Sequence, residues 1–183
     1  MEQKILLVRH GRSAHVHRGF IDIAGFRRWR EAYEAAGIDE RDQPPAALKD
    51  LARGSGMIVA STAPRAVHSA MLLRPHITTS PLLTELELAP PNIRGIRMPL
   101  IGWALSIGIR RHVSPAELER VQEAAQWLSD LAAEHGTVLA VTHASFRSLL
   151  SREFVGRGWQ CEIPKGRSRH WSAWSLSVVN GTD

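Results

Sequence analysis

The sequence predicts an α/β fold: a three-layer sandwich in which helices flank a mostly parallel central sheet. Three short apolar runs are typical of strands that are covered on both faces. They are Lys4–Val8, Met57–Ala60 and Thr137–Val141. Amphipathic segments with helical spacing lie between them, and such alternation of strands and helices is typical of parallel sheets.

The helices are predicted from apolar spacing and from the residues at their ends. They cover Asp22–Ala36, Pro45–Arg53, a segment opened by Pro64, a segment opened by Ser114, and Ala144–Phe154. Ser114 has Glu117 three residues later, a capping pattern, and proline is tolerated in a first helical turn. Partial alternation makes Trp171–Val179 a candidate last strand. Residues 86–113 are rich in Pro and Gly, and we expect a long loop excursion over one end of the sheet.

Size and composition favour one globular domain over residues 1–183. The apolar fraction is 44% and the charged fraction is 22%, and no apolar run is long enough to cross a membrane. We expect no signal peptide, and Cys161 is the only cysteine, which agrees with a cytoplasmic location. The net charge is +5 and most cations are Arg, which suits either an anionic ligand or a basic solvated surface.

Polar residues follow each of the three predicted strands. Arg9-His10-Gly11 comes after the first, Ser61 to Arg65 after the second, and Thr142 to Ser145 after the third. Ligands of open α/β sheets sit at the carboxyl ends of strands, where helix N-termini also attract anions. If the strands are parallel neighbours, the clusters meet in one phosphate pocket.

These residues also carry a family resemblance. Arg9-His10-Gly11 resembles the RHG signature of the histidine phosphatase superfamily, which includes the cofactor-dependent phosphoglycerate mutases. STAPRAVHSA at 61–70, LLTE at 82–85 and VTHASFRSLL at 141–150 resemble its later segments, in the family's order and spacing. The chain is therefore interpreted as a phosphatase-type member of this superfamily.

The resemblance implies that a phosphoryl group is transferred to His10 and then to water. His10 would be the covalent nucleophile. Arg9, Arg65 and a protonated or donating His143 would surround the three equatorial phosphate oxygens. Ser13 and the backbone N–H of Ala144 are further phosphate-binding candidates, and no metal or other cofactor is expected.

The general acid is assigned to Glu85 from the match of the LLTE segment. It would protonate the leaving oxygen and then activate water. Glu87 stays open as an alternative, because residues two apart on an extended segment point the same way.

The chain departs from the common family pattern after the RHG signature. Arg12 replaces the usual Glu, and Val16 occupies a position where many members carry Asn. The phosphate contact usual at that position is either absent in this chain or supplied by His15 or His17. Four arginines of the excursion either bind a remote anionic part of the substrate or face solvent: Arg94, Arg97, Arg110 and Arg111.

The predicted function is hydrolysis of a phosphomonoester, either a small phosphorylated metabolite or a phosphoprotein. One alternative is phosphoglycerate mutase-type phosphotransfer. Another is an inactive member that binds a phosphorylated ligand or nucleic acid. The basic-aromatic segment Lys165–Trp171 suits single strands. A basic solvated loop is the preferred interpretation of it, so nucleic acid is not expected as a partner.

Overall fold

The strands of the described chain form one large sheet and a short ribbon. The structure is a computed structural model that describes residues 3–87, 95–109, 113–166 and 168–178. The strands are β1 Lys4–Arg9, β2 Phe20–Ile21, β3 Met57–Ser61, β4 Thr78–Ser80, β5 Met98–Pro99, β6 Thr137–Thr142, β7 Trp159–Glu162 and β8 Ala173–Val178. Within these ranges the large sheet has the order β4-β3-β6-β1-β8-β7, and β2 pairs with β5.

The centre of the large sheet is parallel. β6 lies between β1 and β3 and pairs parallel with both, and β4 is parallel to β3. β8 runs antiparallel to β1, and β7 runs antiparallel to β8. The predicted α/β class with a mostly parallel sheet is confirmed, and the strands that precede the three polar clusters are neighbours.

Helices cover both faces of this sheet. They are α1 Ile23–Ala35, α2 Ala46–Gly54, α3 Pro64–Met71, α4 Leu100–Ile109, α5 Pro115–His135 and α6 Ala144–Gly156, with a 3-10 turn at Pro81–Leu83. Alternate residues of β1 divide between two buried clusters, as the pleat requires. Ile5 and Leu7 pack with residues of α5 and α6, whereas Leu6 and Val8 pack with residues of α2 and α3. The result is three layers.

The helix starts predicted from capping residues are confirmed. Ser114 Oγ accepts a hydrogen bond from the Glu117 N–H at 3.2 Å, and Pro115 opens α5. Asp22 caps α1 by accepting from the Gly25 N–H at 2.7 Å. The last strand begins at Ala173, two residues after the predicted start, and Val179 lies outside the described residues.

The prediction of a loop over residues 86–113 is wrong for part of that segment. Met98–Pro99 pairs with Phe20–Ile21, and α4 follows directly. Trp103 of α4 is fully buried, donates from Nε1 to the carbonyl of Ile21 at 2.9 Å, and stacks on Phe26. Tertiary packing therefore overrides the low helix propensity of the glycines in this segment.

The predictions about membrane spans, domain organisation and location have different outcomes. No helix in the described ranges combines the length and apolarity needed to cross a bilayer. The single-domain organisation over residues 1–183 and the cytoplasmic location stay predictions.

Candidate functional site

The carboxyl ends of β1, β3 and β6 bring the three polar clusters together. The rings of His10 and His143 lie 5.0 Å apart, centre to centre. His143 contacts Ser61, which ends β3, and Arg65, which lies in the first turn of α3. The parallel neighbours thus place these side chains in one buried cluster, although the sequence separates them by as many as 133 positions.

His10 is held as a neutral ring with one nitrogen committed. Its Nδ1 donates to the carbonyl of Gly11 at 2.6 Å, since a carbonyl can only accept. Nε2 therefore carries the free electron pair. Burial lowers the pKa of His10 to about 3, with Arg65 and Arg9 acting in the same direction and the Gly11 hydrogen bond opposing them. At neutral pH the ring is therefore uncharged, with a free electron pair on Nε2.

His143 is also neutral, and its tautomer follows from its partners. Arg65 Nη2 lies 3.3 Å from His143 Nδ1, and a guanidinium can only donate, so Nδ1 accepts. Nε2 then carries the proton and donates to Ser61 Oγ at 2.9 Å. Burial lowers the pKa of His143 well below the usual value, and the nearby His10 and Arg65 add to the shift.

Arg65 connects α1 to the histidines. Its side chain is 1% exposed, and it donates to both carboxylate oxygens of the half-exposed Glu34 and to the carbonyl of Tyr33. The guanidinium also lies over the Tyr33 ring, 4.4 Å from its centre. These contacts hold the Arg65 guanidinium beside His143, in a position where it can donate hydrogen bonds to an oxyanion.

Arg9 is tied to the loop between β7 and β8. Its Nη1 donates to the carbonyl of Ser168, while burial lowers the pKa of its guanidinium. In the same loop, Trp171 has a positive φ of 62° and donates from its backbone N–H to the carbonyl of Arg9. The C-terminal loop therefore covers the Arg9–His10 corner.

The signature glycine lies directly under Trp171. A Cβ on Gly11 would fall 2.4 Å from Trp171 Cζ2, so the indole requires a residue without a side chain here. The Gly11 N–H donates to Ser69 Oγ of α3 at 2.8 Å. Gly11 is thus fixed from both sides.

Glu85 lies at the N-terminus of α6. Its carboxylate accepts from the N–H groups of Phe146 at 2.8 Å and Ser145 at 3.3 Å, directly after His143. Arg120 of α5 holds the preceding segment, donating to the carbonyls of Leu82 and Thr84. This placement orients the Glu85 carboxyl group at the positive end of the α6 dipole.

Glu87 is placed differently from Glu85. Its side chain is exposed, and its backbone N–H donates to Glu117 at 3.2 Å. The geometry favours Glu85 as the carboxyl nearer the histidines, and its role as general acid stays a prediction.

The other predicted binding residues divide between the cluster and its rim. Ser13 is buried and its Oγ accepts from the His15 N–H, while Ala144 is the first residue of α6. Val16 is 67% exposed. Arg97 donates to the carbonyl of Phe20, a structural contact, whereas Arg94, Arg110 and Arg111 lie outside the described residues.

Sequence reasoning missed His170. Its ring centre lies 5.6 Å from that of His10, and its Nδ1 donates to the His10 carbonyl at 3.0 Å. Burial, and then the charge of Arg9, lower the pKa of His170. Nothing in the sequence around His170 resembles a motif, and it reaches the site only because β8 pairs with β1.

Two cavities open at this site, and we name them by their charge. The basic cavity has a volume of about 200 Å³ and is lined by Arg9, Arg12, Ser13, His15, Trp29, Tyr33 and His170, among others. The acidic cavity, of about 840 Å³, is lined by Glu34, Glu85, Glu87, Glu117, Arg30 and Arg120, among others. Within the described ranges no three His, Cys, Asp or Glu side chains are grouped so as to hold a metal ion.

Comparisons with known proteins find likeness in structure but not in sequence. No protein-family model matches the chain, and no curated protein matches it. A protein described as mycobacterial hydrolase 1 superposes with a TM-score of 0.58 at 17% identity, covering 99% of this chain and 100% of its own.

Two further solved structures carry descriptions of activity. Ecdysone phosphate phosphatase from Bombix mori, in complex with tungstate, gives a TM-score of 0.57 at 14% identity, covering 97% of this chain and 92% of its own. Mycobacterial glucosyl-3-phosphoglycerate phosphatase, in complex with VO3, gives 0.54 at 13% identity, covering 98% and 100%. At these identities the likeness concerns the fold alone: this chain shares its fold with these two phosphatases, as the resemblance in its sequence predicts.

Proposed function

We propose that this protein is a phosphomonoester hydrolase that works through a phosphohistidine intermediate on His10. The observation that carries the proposal is the state of His10. The ring is buried and neutral, Nδ1 is committed to Gly11, the His143 ring centre lies 5.0 Å away, and the charges of Arg65 and Arg9 act on the ring. A neutral nucleophile among cations suits attack on a phosphate dianion.

In the first half-reaction, His10 Nε2 forms a bond to phosphorus as the bond from phosphorus to the leaving oxygen breaks. The electron pair of that bond goes to the leaving oxygen, which takes a proton from Glu85. Arg9 and Arg65 neutralise the phosphate oxygens, with Ser13 and the Ala144 N–H as further donors.

In the second half-reaction, Glu85 takes a proton from water while the water oxygen bonds to phosphorus. The bond between phosphorus and Nε2 breaks, and its electron pair returns to His10. His143 bridges Arg65 and Ser61 in the free protein, and its hydrogen bonds keep the Arg65 fork in place. The scheme needs no metal or other cofactor. The proposed location of the protein is the cytoplasm.

The fold supports this proposal by analogy. The two structural neighbours with named phosphatase activity were solved with tungstate and VO3, which like phosphate carry several oxygens around one central atom. For this chain, the substrate is proposed to be a phosphorylated small molecule or a phosphoprotein, and no nucleic-acid or membrane partner is proposed.

The test is hydrolysis of p-nitrophenyl phosphate with and without EDTA, together with trapping of the phosphoenzyme. We expect activity that survives the chelator and an acid-labile, alkali-stable phosphoryl group that maps to His10. Activity that depends on added metal, or an acid-stable adduct, would contradict the proposal. Dependence on a bisphosphoglycerate primer would favour the mutase alternative instead.

A further inference from the structure

The basic cavity next to His10 contains polar ring atoms that the fold leaves without partners. Trp29 Nε1 and His15 Nε2 are both inaccessible to solvent, and neither has a hydrogen-bond partner among the described residues. Both residues line the basic cavity. A buried indole N–H without an acceptor is costly, so such a group indicates that a ligand supplies the missing acceptor.

The rings that carry these atoms are fixed by stacking. Trp29 stacks on Tyr33 with ring centres 5.0 Å apart, and His15 stacks on Trp29 at 6.2 Å. Arg65 covers the Tyr33 ring as described above, and Phe26 lies 5.7 Å from Trp29. With neighbours on their faces, these rings offer a ligand their edges, and the edge of Trp29 offers a donor.

The charge around the basic cavity is positive. Arg9 and Arg12 line it, and none of its lining residues in the described chain is Asp or Glu. The nearby carboxylate of Asp42 is engaged by Trp171 Nε1 and by the backbone N–H of Arg12. The exposed Arg12 side chain remains available at the cavity, at the position where the family pattern has Glu.

We propose that the basic cavity binds an anionic group on the leaving portion of the substrate, a carboxylate or a second phosphate. This proposal rests on the function proposed above and narrows its substrate class to phosphate esters of small acidic alcohols. Arg9 holds the phosphate that reacts with His10. Arg12 and the Trp29 N–H hold the second anion, and His15 offers its ring edge beside them.

The first experiment compares two-carbon phosphate esters that differ only in the second group. The esters are phosphoglycolate, 2-hydroxyethyl phosphate, phosphoethanolamine and ethylene glycol bisphosphate. We expect kcat/KM for an anionic ester to exceed that for 2-hydroxyethyl phosphate by about tenfold or more, with phosphoethanolamine lowest. The two anionic esters distinguish a carboxylate from a second phosphate. A preference for phosphoethanolamine would overturn the proposal.

The second experiment asks whether the cavity causes the preference. Trp29→Phe keeps an aromatic ring but removes the N–H, and Arg12→Gln removes the charge. Each should lower the ratio of kcat/KM between phosphoglycolate and 2-hydroxyethyl phosphate by about fivefold, mainly through KM. Arg28→Gln, on the exposed side of α1, should leave the ratio unchanged. Equal losses for both esters in Trp29→Phe and Arg12→Gln would contradict the proposal.

A binding measurement separates this proposal from the proposed hydrolysis. In His10→Ala, dissociation constants for the same esters are measured by calorimetry. If the anionic esters bind about tenfold more tightly than 2-hydroxyethyl phosphate, the cavity assignment stands even where the natural chain hydrolyses none of them. If hydrolysis is observed but neither kcat/KM nor binding shows the preference, the cavity assignment fails and the phosphatase proposal does not.

Discussion

The basic and acidic cavities differ in charge: arginines without carboxylates are among the described lining residues of the basic one, whereas four glutamates and two arginines line the acidic one. Consecutive residues of α1 separate them, because Tyr33 lines the basic cavity and Glu34 lines the acidic one. Arg65 contacts both residues. The basic cavity therefore presents guanidinium groups without carboxylates among its described lining residues, while the acidic cavity presents four carboxylates, among them Glu85, together with Arg30 and Arg120.

Under the proposed function, the two demands of phosphoryl transfer fall to different cavities. Oxygen charge must be neutralised, which suits Arg9 and Arg65. A proton must be delivered and removed, which suits a carboxyl group held apart from those cations. The N-terminus of α6 holds Glu85 on its own side, so the carboxylate does not occupy the basic cavity.

The largest expected effect comes from the loss of His10, the proposed nucleophile. His10→Ala removes the only proposed nucleophile, and we expect p-nitrophenyl phosphate hydrolysis to fall by roughly a thousandfold or more. His76→Ala, an exposed histidine after α3, is the matched control and should retain full activity. Substantial hydrolysis by His10→Ala would contradict the assignment of His10 as the nucleophile.

Substitutions of Glu85 and Glu87, the two candidate general acids of the acidic cavity, test which carboxyl group donates the proton. Glu85→Gln should lower kcat by about a hundredfold for esters of poor leaving groups, because the leaving oxygen then lacks its proton donor. The loss should be smaller for p-nitrophenyl phosphate, whose leaving group needs less protonation. Glu87→Gln is the matched control and should change kcat by less than about threefold. The reverse pattern would move the acid role to Glu87.

The burial of His10 has a consequence for stability against pH. The folded protein holds His10 neutral down to a pKa of about 3, from an ordinary value of 6.5. Below pH 6.5 the unfolded chain binds a proton that the folded chain refuses, so stability is complete above that pH and falls toward pH 3.

Urea unfolding at pH 7.5 and pH 5 measures this effect. The natural chain should lose roughly 2 kcal/mol more than His10→Gln over that interval, because the variant has no ring to protonate. His143, whose pKa is shifted in the same direction, is present in both proteins and contributes to both. An equal pH dependence in the two proteins would contradict a neutral His10.

Sequence patterns predicted Arg9, His10, Arg65 and His143 because these residues follow strands closely. Arg9, Arg65 and His143 each stand within a few residues of a buried apolar run, and parallel pairing brings such ends together. The residues that shape the two cavities could not be predicted in this way, because they reach the site through contacts between distant parts of the sequence. Tyr33 and Glu34 lie on a helix that carries no motif, and Arg120 supports the Glu85 segment from 35 residues away.

The same limit explains the two elements that sequence reasoning placed wrongly or not at all. Gly102 weakens the helical pattern of α4, yet its missing side chain lets Met98 approach, since a Cβ would lie 3.1 Å from the Met98 Cβ. His170 belongs to a loop whose basic-aromatic composition indicates a surface. Its position depends on β8 entering the sheet beside β1, which local patterns do not encode.

A structural effect concerns the C-terminal loop that covers the Arg9–His10 corner. In Gly11→Ala the new methyl group meets the indole of Trp171, which is nearly buried and already has a positive φ. The indole must move, which disturbs its hydrogen bond to Asp42, and we expect the free energy of unfolding to fall by about 1–3 kcal/mol. Gly54→Ala, at the open end of α2, meets no atom within 4 Å and should be neutral or slightly stabilising.

Urea midpoints at pH 7.5 compare the stability of Gly11→Ala with that of Gly54→Ala. Because Trp171 is next to His170, the loss in Gly11→Ala should be accompanied by a higher KM, which Gly54→Ala should not show. An unchanged midpoint and KM in Gly11→Ala would mean that the C-terminal loop does not hold the Arg9–His10 corner in place.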